Sequence, residues 1–137
     1  MRKRGLLSFF LFFLISLSAN IYAQEPVSKN FAYFGLEPDI VTNYLGSSAR
    51  KLGYVRITIE LMLEDADYLS VAEHHAPLLR ATAIEILGSQ PEDRVKSLTG
   101  REDIRRACLE TMRKLMKKET GSNMIKDVIF TKYIYYG

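Results

Sequence analysis

From Tyr54 to Glu64 apolar and polar residues alternate. Val55, Ile57, Ile59, Leu61 and Leu63 are branched aliphatics, with Arg56, Thr58, Glu60 and Glu64 between and after them. A period of two puts the five aliphatics on one face of a strand and the polar side chains on the other. Met62 is the one interruption of the polar row. A helix would scatter these residues around its axis, so the stretch predicts a half-buried strand with one face on a core. Upstream, Ile40 to Leu45 also favours strand, and Pro38 confines that segment to an edge, a bulge or a strand start. Gly46 to Lys51 is turn material. An antiparallel pairing of Ile40–Leu45 with Tyr54–Glu64 is then the simplest topology.

Downstream the period changes to that of helices. Glu64, Asp65 and Asp67 stop the strand and offer caps, and Ser70 with Glu73 fits a capping box. Pro77 inside one helix would remove a hydrogen bond at a cost of about 3 kcal/mol. The sequence therefore predicts a short helix from Asp67 to His74 and a second from Pro77 to Leu87. Leu78, Leu79, Thr82, Ala83, Ile86 and Leu87 give the second helix a broad apolar stripe, and Gly88 suits its end. Ser89-Gln90-Pro91-Glu92 predicts one further helical turn through Val95. Thr99-Gly100-Arg101-Glu102 reads as the capping box of a longer helix to Lys118. Ile104, Ala107, Cys108, Thr111, Met112, Leu115 and Met116 share one face of that helix. After a turn at Gly121-Ser122-Asn123, Ile125 to Tyr135 is the last strand. Large side chains on both of its faces predict a central place in the sheet. The fold class is α+β: a small, mainly antiparallel sheet packed on one face by two main helices.

The N-terminus reads differently. Arg2, Lys3 and Arg4 precede a run from Leu6 to Leu17 that is nearly all Leu, Phe and Ile, and the segment closes on small or polar residues at Ala23. Residues 1–23 are either an export signal cleaved after Ala23 or a retained membrane anchor. As an anchor, Leu6 to Ala23 spans only about 27 Å, short for a hydrocarbon core of roughly 30 Å. In both cases the basic residues hold the N-terminus inside and the rest lies outside the cytoplasm. Residues 24–33 are a short tether and 34–136 a single domain.

Charge then loses its first meaning. The formal net charge is +3. Setting aside Arg2, Lys3 and Arg4 leaves 16 basic residues against 16 acidic ones, so the exported part is neutral and gives no footing for nucleic-acid binding. The lone Cys108 lies on the apolar face of its helix, where a thiol packs as a small hydrophobe. It has no internal partner for a disulfide, so the core must hold the fold.

The sequence holds little chemistry. His74 and His75 are neighbours on a helix and point about 100° apart, which is no zinc arrangement. Glu60, Glu64, Asp65 and Asp67 match neither a carboxylate pair across a cleft nor a calcium loop. Leu45-Gly46-Ser47-Ser48 lacks the lysine-bearing glycine pattern of a phosphate cradle. No catalytic residue, cofactor or metal site is predicted. Lys114, Lys117 and Lys118 form a small basic patch, either a solvated helix end or a contact for anionic headgroups or an acidic partner. Phe31, Tyr33, Phe34, Tyr133, Tyr135 and Tyr136 are divided between the core and, where exposed, protein contact. The Ile40–Leu45 edge is a candidate for subunit contact.

The same scaffold residues carry a resemblance. Leu36-Glu37-Pro38 followed by Ile40-Val41-Thr42-Asn43 resembles the opening of the periplasmic domain of flagellar FliL proteins. Tyr54-Val55-Arg56-Ile57-Thr58-Ile59-Glu60-Leu61 and His75-Ala76-Pro77-Leu78-Leu79-Arg80 continue it. The block from Leu87 to Glu102 and the ending Ile125 to Tyr133 complete a series running in order from about Phe34 to Tyr135. The resemblance implies a stomatin-like (SPFH) domain in a non-enzymatic protein of the bacterial inner membrane, associated with the flagellar basal body. It further implies homo-oligomeric rings around the stator units, on the periplasmic side, in support of motility. The short hydrophobic segment departs from the family's usual uncleaved transmembrane helix and linker. If cleaved, it leaves a soluble periplasmic relative; if kept, it holds the domain close to the membrane. The alternative reading is a periplasmic scaffolding or binding module of another envelope complex.

Overall fold

The computed structural model describes residues 30–46 and 52–137. Residues 1–29, which hold the expected signal or anchor and the first part of the expected tether, and residues 47–51 of the expected turn lie outside the described residues. Strand β3 (Tyr54–Leu63) is the centre of a four-stranded sheet. Its five aliphatic side chains are wholly buried, as the alternation requires. Strand β4 (Ile125–Tyr136) runs antiparallel along one side of β3 for its whole length. Strands β1 (Ala32–Gly35) and β2 (Ile40–Asn43) share the other side, β1 against Leu63 to Glu60 and β2 against Ile57 to Tyr54. Ala32 and Tyr33, at the end of the expected tether, thus already belong to the sheet.

Between β1 and β2 the Leu36 N–H still donates to the Ile59 carbonyl at 2.9 Å. The two strands are therefore one edge interrupted at Glu37–Asp39, where the Glu37–Pro38 peptide is cis. Pro38 stands at a break in an edge, the place its missing N–H allows. Arg80 donates to the carbonyls of Leu36, at 2.8 Å, and of Pro38, tying the break to the helix below.

The expected helix pair 67–74 and 77–87 is instead one helix, α1 (Leu69–Gly88), entered through a 3-10 turn at Ala66–Tyr68. Pro77 sits inside it. Glu73 and Pro77 are both exposed, so the carbonyl that Pro77 cannot bond faces water. On the opposite side Ala72, Leu79, Ala83 and Leu87 form an unbroken buried row that holds both halves in line. The start is capped by Asp65, whose carboxylate accepts from the Asp67 N–H at 2.9 Å, and not by Ser70, which lies inside the helix.

Helix α2 (Glu92–Lys96) is the expected single turn, but no side chain caps it. Ser89 and Gln90 turn back and donate to the Ile86 carbonyl, finishing α1. Helix α3 (Leu98–Thr120) is capped by Ser97, whose hydroxyl accepts from the Gly100 N–H at 3.0 Å. The cap thus precedes the expected Thr99, which stands in the first turn. A Cβ on Gly100 would lie 2.0 Å from the Arg94 carbonyl oxygen, so only glycine lets α2 and α3 meet this closely. Gly121, at φ 82°, ends α3 in the left-handed region.

Both α1 and α3 pack on the aliphatic face of β3, α1 under β1 and β2 and α3 under β4. Ile104, Cys108, Met112 and Met116 fill the space between. Thr111, expected on this face, is exposed. The architecture is the predicted α+β layer pair, with one correction. Strand β4 is an edge, not a centre. Its register slips between Thr58 and Ile59 and again between Met62 and Leu63. Each slip inserts a residue in β4, Thr131 and Lys126, and shifts the side-chain alternation by one. That change of phase, not burial on both faces, scatters its large side chains.

Candidate functional site

The second face of the sheet has no helix on it among the described residues. Tyr33, Val41, Tyr54, Ile134 and Tyr136 are all exposed there, and Tyr54 stacks on Tyr136 with ring centroids 4.5 Å apart. Between these apolar ends lies a polar centre. Asp39, placed by the break after Pro38, accepts from the Thr58 hydroxyl at 2.6 Å and from Lys132 Nζ at 3.0 Å, with Arg56 Nε at 3.5 Å. The Thr58 hydrogen bond, then Lys132, hold its carboxyl below the usual range. The cluster joins all three positions across the sheet, with the Asp39 carboxylate shared among Thr58, Lys132 and Arg56.

A second cluster closes part of the β4 edge. Glu102 receives a two-pronged bond from Arg105 at 2.7 and 2.8 Å, and Arg106 adds a third at 3.2 Å. Arg105 also reaches the Asp127 carboxylate at 2.6 Å and the Val128 carbonyl at 3.1 Å. The Arg105 guanidinium, ahead of Arg106, lowers the Glu102 carboxyl to about 2. Neither cluster was visible in the sequence, because each depends on strand register and on a loop that brings distant residues together. The only local signal was Glu102 three and four residues before Arg105 and Arg106.

The residues weighed from sequence lie apart from one another. His75 Nδ1 is 2.8 Å from the Val71 carbonyl oxygen, its ring edge-on to the exposed His74. Cys108 is sealed in the core, where burial pushes its thiol up to about 12. Glu60 stands on the open sheet face, and Asp65 is the cap described above. The Glu64 N–H donates to Met124. Leu45 exchanges backbone bonds with Gln90 and Glu92, pinning the end of β2 against the approach to α2. Lys114, Lys117 and Lys118 are exposed on the last turns of α3. Phe34 and Tyr133 pack against the core, whereas Phe31, Tyr33, Tyr135 and Tyr136 are exposed. No three of these His, Cys, Asp or Glu side chains converge on a metal-sized space among the described residues.

What the molecule offers is surface: an open sheet face, two sheet edges and a basic helix end. The family model of the flagellar basal body-associated protein FliL matches residues 33–135, which is the folded unit from β1 to the end of β4. The chain belongs to the FliL family. No curated protein matches it at a significant level. The matched residues agree with the resemblance carried by the five sequence blocks, and the FliL family is one of structural components of the flagellum. Among the described residues no helix is long and apolar enough to cross a membrane.

Proposed function

We propose that this FliL-family chain is a non-enzymatic subunit that supports motility by associating with the flagellar stator and assembling into a ring. It works on the periplasmic side of the inner membrane, held there by residues 6–23 or released after cleavage near Ala23. The match across the whole folded unit carries this reading. The distribution of chemistry supports it: Asp39, Glu102 and Asp127 are each held by basic side chains, while Tyr33, Val41 and Ile134 lie exposed on one face of the sheet.

Membrane proximity has a geometric argument of its own. Asn30, the first described residue, accepts from the Ala66 N–H at 3.1 Å. Beside it Lys126 lies over the Phe31 ring, and Ser122 bonds Tyr68 at 3.1 Å. The chain therefore enters the fold at the pole where α3 ends with Lys117 and Lys118. Six residues, 24–29, reach at most about 20 Å, so a retained anchor would keep this pole at the bilayer.

Deleting the gene should impair swimming, swarming and the response to load while leaving flagella in place. Normal motility under all three conditions would sink the reading. N-terminal sequencing of the exported protein, with fractionation, separates an anchored chain from a cleaved one.

A further inference from the structure

The two edges of the sheet are closed to different degrees. In an antiparallel ladder successive residues turn their peptide groups to opposite sides. The Ile59 carbonyl is taken by Leu36 on the β1–β2 side, so the residue opposite Ile59 on β4, Phe130, turns its N–H and C=O outward. By the same alternation Val128, Tyr133 and Tyr135, opposite Leu61, Ile57 and Val55, face outward as well.

Val128 is closed. Its N–H donates to the Asp127 carboxylate at 2.8 Å and its carbonyl accepts from Arg105. Phe130, Tyr133 and Tyr135 have no such cover from the described residues. At Phe130 this edge borders a groove of about 430 Å³ between β4 and the first turns of α3, lined also by Leu98, Arg101 and the Glu102–Arg105–Asp127 cluster. Leu98 is 84% exposed although it is a leucine beside the core. Arg101 lies 5.0 Å over the Tyr133 ring, which is fixed by its hydroxyl bond to the Val95 carbonyl at 2.7 Å. Arg94, Arg105 and Arg106 all hold a carboxylate, whereas Arg101 has none among the described residues.

We propose that the β4 edge from Phe130 to Tyr135 is a docking groove for an extended segment of a partner protein. The segment adds as a further strand, sets an acidic side chain on Arg101 and rests an apolar one on Leu98. Strand addition supplies main-chain hydrogen bonds, and the alternate side chains supply selectivity. Glu102 and Asp127 are held by Arg105, so Arg101 is the charge of the groove left to select the occupant. A second copy adding its own β4 about a two-fold axis near Tyr133 would bring two Arg101 guanidinium groups together. A second copy adding its β1–β2 edge would present a row broken at Pro38. An acidic strand from a different chain meets neither obstacle. The groove is separate from the ring reading and stands or falls without it.

The test uses the full-length chain in detergent micelles and two labelled, end-blocked peptides of alternating Val and Thr. One carries a central Glu, the other a central Lys. Fluorescence anisotropy should show the Glu peptide binding about tenfold tighter, and Arg101→Glu should reverse that preference. Amide exchange should slow at Phe130, Tyr133 and Tyr135 when the Glu peptide is bound. Leu98→Ser, at a residue too exposed to matter for folding, should weaken the Glu peptide without reversing the preference. Equal binding of the two peptides, binding of neither, or protection confined to other strands would overturn the proposal. Edge amides already protected in the peptide-free chain in a concentration-dependent way would assign the groove to a second copy instead.

Discussion

Strands β3 and β4 lie side by side for their whole length and obey opposite rules. Strand β3 keeps a strict alternation because both its flanks are paired and one face is entirely core. Strand β4 has a partner on one flank only. It changes phase twice and so carries Val128 and Phe130 inward at one end and lets Ile134 and Tyr136 face outward at the other. A strand held on both sides is forced into regularity. A strand held on one side can use bulges to aim its residues, and its free flank is where clusters and grooves collect.

The comparison can be broken by removing a residue from each strand. Deleting Thr58 moves half of the β3 aliphatics to the wrong face and should abolish folding, seen as loss of far-UV dichroism. Deleting Thr131 removes one bulge and leaves Phe130, Tyr133 and Tyr135 opposite Ile59, Ile57 and Val55, where they already stand. That should cost no more than about 1 kcal/mol in urea denaturation and leave a folded chain. Point substitutions sharpen the same contrast. Ile59→Ala in β3 should destabilise by about 2–5 kcal/mol, whereas Ile134→Thr in β4 should stay within about 0.5 kcal/mol. Between these, Gly100→Ala should cost about 1–3 kcal/mol by forcing α2 away from α3.

The smallest effect is electrostatic. Glu102 titrates near 2 in the folded chain against an ordinary 4.5, so its contribution is present above the unfolded value. It is lost as pH falls from 4.5 through about 2. Melting curves of the parent and Glu102→Gln should differ at pH 6 and converge by about pH 2. A difference that persisted there would mean that Glu102 acts through packing rather than charge.

What could be seen from the sequence follows the same division. The β3 core face, the antiparallel β2 pairing, Pro38 at an edge and the buried row of α3 were all legible, because each is set by residues close in the chain. Pro77 misled because a lost hydrogen bond is expensive only when no water can replace it, and the sequence does not show which side of a helix is wet. Thr99 misled because Ser97 makes the same hydroxyl contact two residues earlier. The bulges at Lys126 and Thr131 hid the phase of β4 and with it the strand's place at an edge. The Asp39 and Arg105 clusters were out of reach, since both depend on which residues face one another across strands. The surface that supports the functional reading is built from those same long-range placements, so the family blocks pointed to function where local patterns did not.

Cys108 has one more consequence. A thiol raised to about 12 and wholly enclosed carries almost no thiolate at neutral pH and has no route to an oxidant. In an oxidising compartment the folded chain stays covalently single, and disulfide-linked pairs record molecules that have opened. The rate at which an alkylating reagent consumes this thiol therefore counts openings of the core, giving the protein a built-in clock for its own unfolding.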